Sequence, residues 1–121
     1  SISSETFILE ASITPMVSTS KLLVFAVANE LDNGGSGRVL GRLRYSTSSG
    51  GTTGTQLSSA NVALDSTGTS GKDSLTLMGS YSPAATSTQY IKLTIAKQDG
   101  GSAAINAYSG QTSIIVAELN V

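Results

Sequence analysis

Cysteine, histidine and tryptophan are all absent from this chain of 121 residues. Without histidine or cysteine there is no Ser-His-Asp or Cys-His arrangement for nucleophilic catalysis. A zinc site would have to be assembled from carboxylates alone. No disulfide can form, so cysteine usage says nothing about the redox compartment. Charge is scarce too, at 12% of residues, and nearly balanced: seven Lys and Arg against eight Asp and Glu, a net charge of −1. That is too little basic charge for a strong nucleic-acid footprint. No apolar run has the length of a transmembrane helix, so no membrane insertion is expected. The start, "SISSETFILEAS", has neither the basic flank nor the long apolar stretch of a signal peptide. It also lacks Met, as would follow from Met removal before a small Ser or from a trimmed chain.

Ser, Thr and Gly fill the gap left by charge, at about four residues in ten. Strong helix formers are few and β-branched residues common, which favours strands. Clusters of turn residues fall at 14–20, 29–37, 46–54, 65–73, 82–88, 98–101 and 109–111. Between them lie eight segments of strand length, roughly 5–13, 21–28, 38–45, 55–64, 74–81, 89–97, 102–108 and 112–120. Residues 55–64 also carry a weak helical spacing. We expect one all-β domain over 1–121, with residues 1–4 as a short arm, built as an antiparallel sandwich or small barrel.

Alternation assigns faces. Phe7, Leu9, Ala11 and Ile13 are expected on one side of the first strand, with Ile8, Glu10 and Ser12 on the other. Val39, Leu43 and Tyr45 share a face through Gly41, and Arg38, Arg42 and Arg44 take the opposite face with Leu40. Ile91, Leu93 and Ile95 alternate with Tyr90, Lys92, Thr94 and Ala96, which reads as a strand with one wet face. Two segments do not alternate: "LLVFAVA" (22–28) and "IIVA" (114–117) are apolar on both sides. Such strands need a cover on each face. The sandwich covers one. A second subunit is the preferred cover for the other, with a loop from 46–54 or 65–73 as the alternative. The candidate interface residues are therefore Leu22, Val24, Phe25, Ile114, Ile115 and Val116.

Glu118 sits in the same apolar strand, either reaching water at the strand end or pairing an arginine across subunits. The Arg38, Arg42 and Arg44 row either pairs with acids on neighbouring strands or meets an acidic partner surface or an anionic sugar. Other sites are weaker. "GTSGKD" (68–73) carries Ser66 and Asp73 where a phosphate-binding loop needs Gly and Ser or Thr. Glu30, Asp32 and Asn33 could offer oxygen ligands to calcium, yet they also make an ordinary loop, with positive φ at Asn33-Gly34. Four tyrosines could serve as a glycan platform or as core. No cofactor and no catalytic residue is expected.

The order of pieces carries a resemblance. "LEASITP" (9–15) leads into "SKLLVFAVAN" (20–29), then "RVLGRLRYS" (38–46), "YSPAATSTQYIKLTIAKQDGGSAAIN" (81–106) and "TSIIVAELNV" (112–121). This series resembles small bacteriophage virion proteins and tail-fibre tip domains, over most of the chain except 47–74. The resemblance implies a jelly-roll sandwich assembled as a homotrimer. Apolar strands would pack around the three-fold axis. The implied role is a capsid decoration (cement) protein on the virion exterior, bound to the major capsid protein of the same phage. With no shaft before its first strand, the chain fits a cement better than a fibre. The alternative is a receptor-binding tip or a lectin that takes a host-surface glycan.

Overall fold

A computed structural model describes residues 4–32, 37–57, 61–66, 72–98, 103–105 and 111–120. Among them every regular element is a strand: β1 (Thr6–Ile13), β2 (Lys21–Asp32), β3 (Gly37–Ser46), β4 (Thr55–Gln56), β5 (Asn61–Ser66), β6 (Lys72–Tyr81), β7 (Gln89–Lys97) and β8 (Ser113–Leu119). They form two antiparallel sheets packed as a β-sandwich. One sheet runs β1-β7-β3, with β4 and β5 both on the free side of β3; the other runs β6-β2-β8.

The registers obey one rule. Ser12 faces Tyr90 in β1–β7, Val24 faces Gly79 in β2–β6, and Arg38 faces Asp65 in β3–β5. In all three ladders the paired residue numbers add to between 101 and 104. The described strands between residues 6 and 97 are therefore paired as one long antiparallel hairpin whose arms switch sheets together. Its tip falls in the loop 47–54, where Gly50 and Gly51 have φ of 76° and 72°, a conformation open to glycine at little cost. β8 follows the hairpin and pairs with β2 on the side away from β6.

Core residues come from the inward face of each strand. Val24, Ala26 and Ala28 of β2, Leu75 and Leu77 of β6, Val39 and Leu43 of β3, and Ile91, Leu93 and Ile95 of β7 meet between the sheets. Gly41 is required there. A Cβ at this position would collide with Leu75 and Leu77 of the facing sheet, so the sheets approach because β3 has no side chain at that point.

Several sequence expectations need correction. Segment 55–64 is two short strands, β4 and β5, with 58–60 outside the described residues. Segment 102–108 is no strand where it is described: Ala104 makes an isolated bridge to Asp32, and most of the remainder, like residues 99–101 of the expected turn at 98–101, lies outside the described residues. The simple alternation in β1 fails because a bulge between Phe7 and Leu9 resets it. Phe7 faces Thr94 while Leu9 faces Leu93, so these two no longer share a side. Strand β7 has no wet face at all. It is buried from Ile91 to Lys97, for a reason that lies on the outer surface of its sheet.

Candidate functional site

Three places bring chemically capable residues together: the outer faces of the two sheets and a cleft at one end of the sandwich.

On the five-stranded sheet, the outer face holds the charged residues. Glu5 lies just before β1. It accepts hydrogen bonds from Arg44 Nε (2.8 Å) and NH2 (3.1 Å) and from Thr94 Oγ1 (2.7 Å), and Arg42 NH1 stands 4.0 Å away. The bidentate bond from Arg44 holds the Glu5 carboxyl below its ordinary value, against partial burial, which pushes the other way. Beside this cluster the hairpin tip folds back onto the sheet. The Lys92 ammonium donates to the carbonyls of Gly50 (2.5 Å) and Thr53 (3.2 Å). Glu10 accepts from Gly50 N (2.6 Å) and Ser49 Oγ (2.7 Å), and Arg44 NH1 donates to Gly54 O (3.1 Å). Lys92 is thereby fully buried. A lysine in that state needs such acceptors, since an unpaired buried cation is very costly.

The other outer face is different in kind. From Leu22 to Ala28 of β2 every second residue points inward and is buried, and the residues between point out. The register sets Phe25 opposite Met78 on one side and Ile115 on the other. This row is open to solvent: Phe25 is 46% exposed, Met78 60% and Ile115 64%. Leu23 and Val27 flank it on β2. Leu119, opposite Lys21, extends the apolar surface along β8. Met16 and Val17 are exposed in the turn that leads into β2. Glu118 fixes that turn by accepting the Met16 backbone N–H on both carboxylate oxygens (2.6 and 3.2 Å).

The sequence-derived interface set divides accordingly. Phe25 and Ile115 lie on the open apolar face. Leu22 and Val24 are fully buried inside their own chain, while Ile114 and Val116 pack half-buried against the core. Those four face inward because β2 and β8 alternate after all; their outward residues simply happen to be apolar as well. Arg42 and Arg44 find an acid within the chain, Glu5. Arg38 stands further along β3, at the register position opposite Asp65. Glu118 meets a backbone amide rather than an arginine or only water. The loop proposed to cover the apolar strands does fold over a sheet, but over the charged one. Of the calcium candidates, Glu30 sits at a bulge in β2 with φ of 50° and Asn33 lies outside the described residues; among the described residues no three acidic groups cluster.

The cleft was not foreseen as a place. It opens beside the end of β3, with a volume of about 420 Å³, between the 45–47 and 54–55 stretches and the loop after β6. Tyr45 lines it and stacks on Tyr81, with ring centroids 3.9 Å apart and planes 16° from parallel. Burial, and to a lesser degree Tyr45, pushes the Tyr81 hydroxyl well above its usual value, so it remains a donor. It donates to Gln89 Oε1 (3.1 Å), and Gln89 Nε2 donates to Ser87 O (3.1 Å). The sequence signal was present in the spaced tyrosines, but nothing in their spacing said which two would meet.

Comparison with protein-family models, with curated proteins and with solved structures gave no significant match.

Proposed function

We propose that this chain is a non-enzymatic structural protein that self-associates through the outer face of the β6-β2-β8 sheet. Following the resemblance, we read it as a trimeric capsid decoration protein of a bacteriophage, bound to the major capsid protein on the virion exterior. The observation that carries the self-association is the row Met78–Phe25–Ile115. Three large apolar side chains lie side by side, each about half exposed or more, on one antiparallel sheet. Covering such side chains is worth roughly 1.5–3 kcal/mol each when burial is complete, and an open apolar patch on a sheet is a common mark of an interface. The nested ladder supports the jelly-roll reading, because a jelly roll is likewise a pair of antiparallel arms rolled into two sheets. A cement that binds only the assembled shell would stabilise it by mass action.

Two measurements test this reading. Sedimentation at graded concentration reports the mass of the free protein; a trimer is expected, and a monomer at micromolar concentration counts against it. Co-sedimentation with undecorated capsids should saturate at a fixed copy number per shell, with no binding to host cells. A receptor-binding tip or lectin is the second reading, and the polar end cleft is the observation that favours it. Binding to cells and not to shells would select it.

A further inference from the structure

The end cleft is polar and carries no charge. None of its ten lining residues is acidic or basic. Its walls are hydroxyls, a carboxamide and one aromatic ring, with Pro83 and Ala85 between them. Thr55 and Ser82 are exposed, and their hydroxyls make no hydrogen bond to another described residue. Gln89, 4% exposed, is fixed from behind by Tyr81 and from the side by Ser87. Tyr45 presents its ring to the cleft while Tyr81 backs it. The cleft's size falls within the range of about 300–1,000 Å³ typical of small-ligand sites.

One wall is also held in a costly conformation, and the other depends on a glycine. Ala84, in the loop after β6, has φ of 54°, a left-handed conformation that disfavours a residue with a Cβ. That loop is pinned at its far end by a hydrogen bond between the hydroxyls of Thr14 and Thr88 (2.8 Å). Gly54, on the opposite wall, has φ of 125°, and a Cβ there would stand 2.6 Å from Tyr45 O. Strain held by surrounding structure is characteristic of pre-organised sites. Arg44, which reaches the Gly54 carbonyl, is committed to Glu5 by two further bonds, so it offers no anion site here.

From the rigid aromatic wall, the free hydroxyls and the absence of charge, we infer that this cleft binds a neutral saccharide. A sugar ring stacks its C–H face on Tyr45 while its hydroxyls exchange hydrogen bonds with Thr55, Ser82 and Gln89. The inference rests on the cleft alone. It stands whether the chain decorates a shell or tips a fibre, because the cleft does not use the Met78–Phe25–Ile115 row.

The test is ligand-observed NMR with the full chain against a panel of neutral oligosaccharides of glucose, galactose, mannose and N-acetylglucosamine, with sialylated and sulfated counterparts as controls. At least one neutral probe should bind saturably. Ser82→Trp and Thr55→Trp place an indole into the cleft from exposed positions, so both proteins should fold, which circular dichroism checks. Each should weaken that binding at least about tenfold, the loss of one to two hydrogen bonds' worth of affinity. Phe25→Lys should leave it unchanged. Failure of every neutral probe to bind, binding of anionic probes only, or binding that survives both tryptophan variants would overturn the assignment. None of those results bears on self-association, which is read by sedimentation.

Discussion

The outer faces of the two sheets are treated in opposite ways. On the five-stranded sheet the charged residues point outward, yet the chain covers them itself. Glu5 gathers Arg44, Arg42 and Thr94, and the hairpin tip lies across Lys92 and Glu10. On the three-stranded sheet the centre of the outer face is apolar, with Thr76, Ser80 and Ser113 beside it, and no described part of the chain covers Phe25, Met78 or Ile115. The lesson concerns what a loop can cover. A Gly- and Ser-rich loop carries backbone groups that must be satisfied. The buried Lys92 and the half-buried Glu10 satisfy them, whereas an apolar surface would leave them unpaired. The loop therefore goes to the charged sheet, and no described segment covers the apolar row.

Charging the open face should break this contrast most sharply. Phe25→Lys puts an ammonium where another subunit would bury an aromatic ring. We expect self-association to weaken by about 3 kcal/mol or more, on the order of a hundredfold. Sedimentation should then report monomer, with an unchanged circular dichroism spectrum. An unchanged mass would mean that the sheet face is not the contact.

Removing the anchor of the covered face is next. Lys92→Ala deletes both bonds to the loop and leaves the carbonyls of Gly50 and Thr53 short of a donor. The cost to unfolding free energy should be about 2–3 kcal/mol. Limited proteolysis should find new cleavage within 47–54. A stable protein with a protected loop would show that Glu10 and Arg44 suffice to hold it.

Glu5→Gln keeps the shape of the cluster and removes its charge. Urea denaturation should show a loss of about 1–2 kcal/mol. The same group sets a pH dependence. Its folded carboxyl is held below the ordinary value of 4.5, so its contribution is complete above that value and is lost as pH falls through the lower folded one. The wild type should lose stability over that acid window more steeply than Glu5→Gln. Parallel curves would remove Glu5 from the account.

The smallest effect belongs to Glu10→Gln, which still offers one oxygen to Gly50 N–H. A loss of about 0.5–1 kcal/mol is expected, with faster hydrogen exchange at the Gly50 amide and no change in sedimentation. Exchange unaltered at that amide would place the loop's hold on Lys92 and Arg44.

Legibility followed the range of the interactions. Strand positions were readable because turn residues and β-branched runs act locally: β1, β2, β3, β6, β7 and β8 lie close to their expected segments. The faces of β3 were readable from Val39, Leu43 and Tyr45 alone. The break between β4 and β5 was not, since their apolar positions fit either strand or helix. Nor was the bulge in β1, because an extra residue in a ladder leaves no mark on composition. For the sites, the apolar excess in β2 and β8 pointed to an unpartnered face, but it could not separate Phe25 and Ile115 from Leu22 and Val24 without the pleat. The arginine row named a charged face without naming Glu5, which is 39 residues away from Arg44.

By itself, then, the sequence determined an all-β chain with no histidine or cysteine chemistry, little charge and two strands too apolar for one core. Those properties follow from composition and from contacts between near neighbours. The tertiary structure decided the rest: that the arms of one hairpin are rolled so that Ser12 meets Tyr90 and Val24 meets Gly79, that the glycine tip lands on Lys92, and that Tyr45 stacks on Tyr81 at the rim of a cleft. Each depends on residues far apart in the chain. Such pairings are fixed only when the whole ladder selects a single register, because a shift by one residue would turn every buried side chain outward.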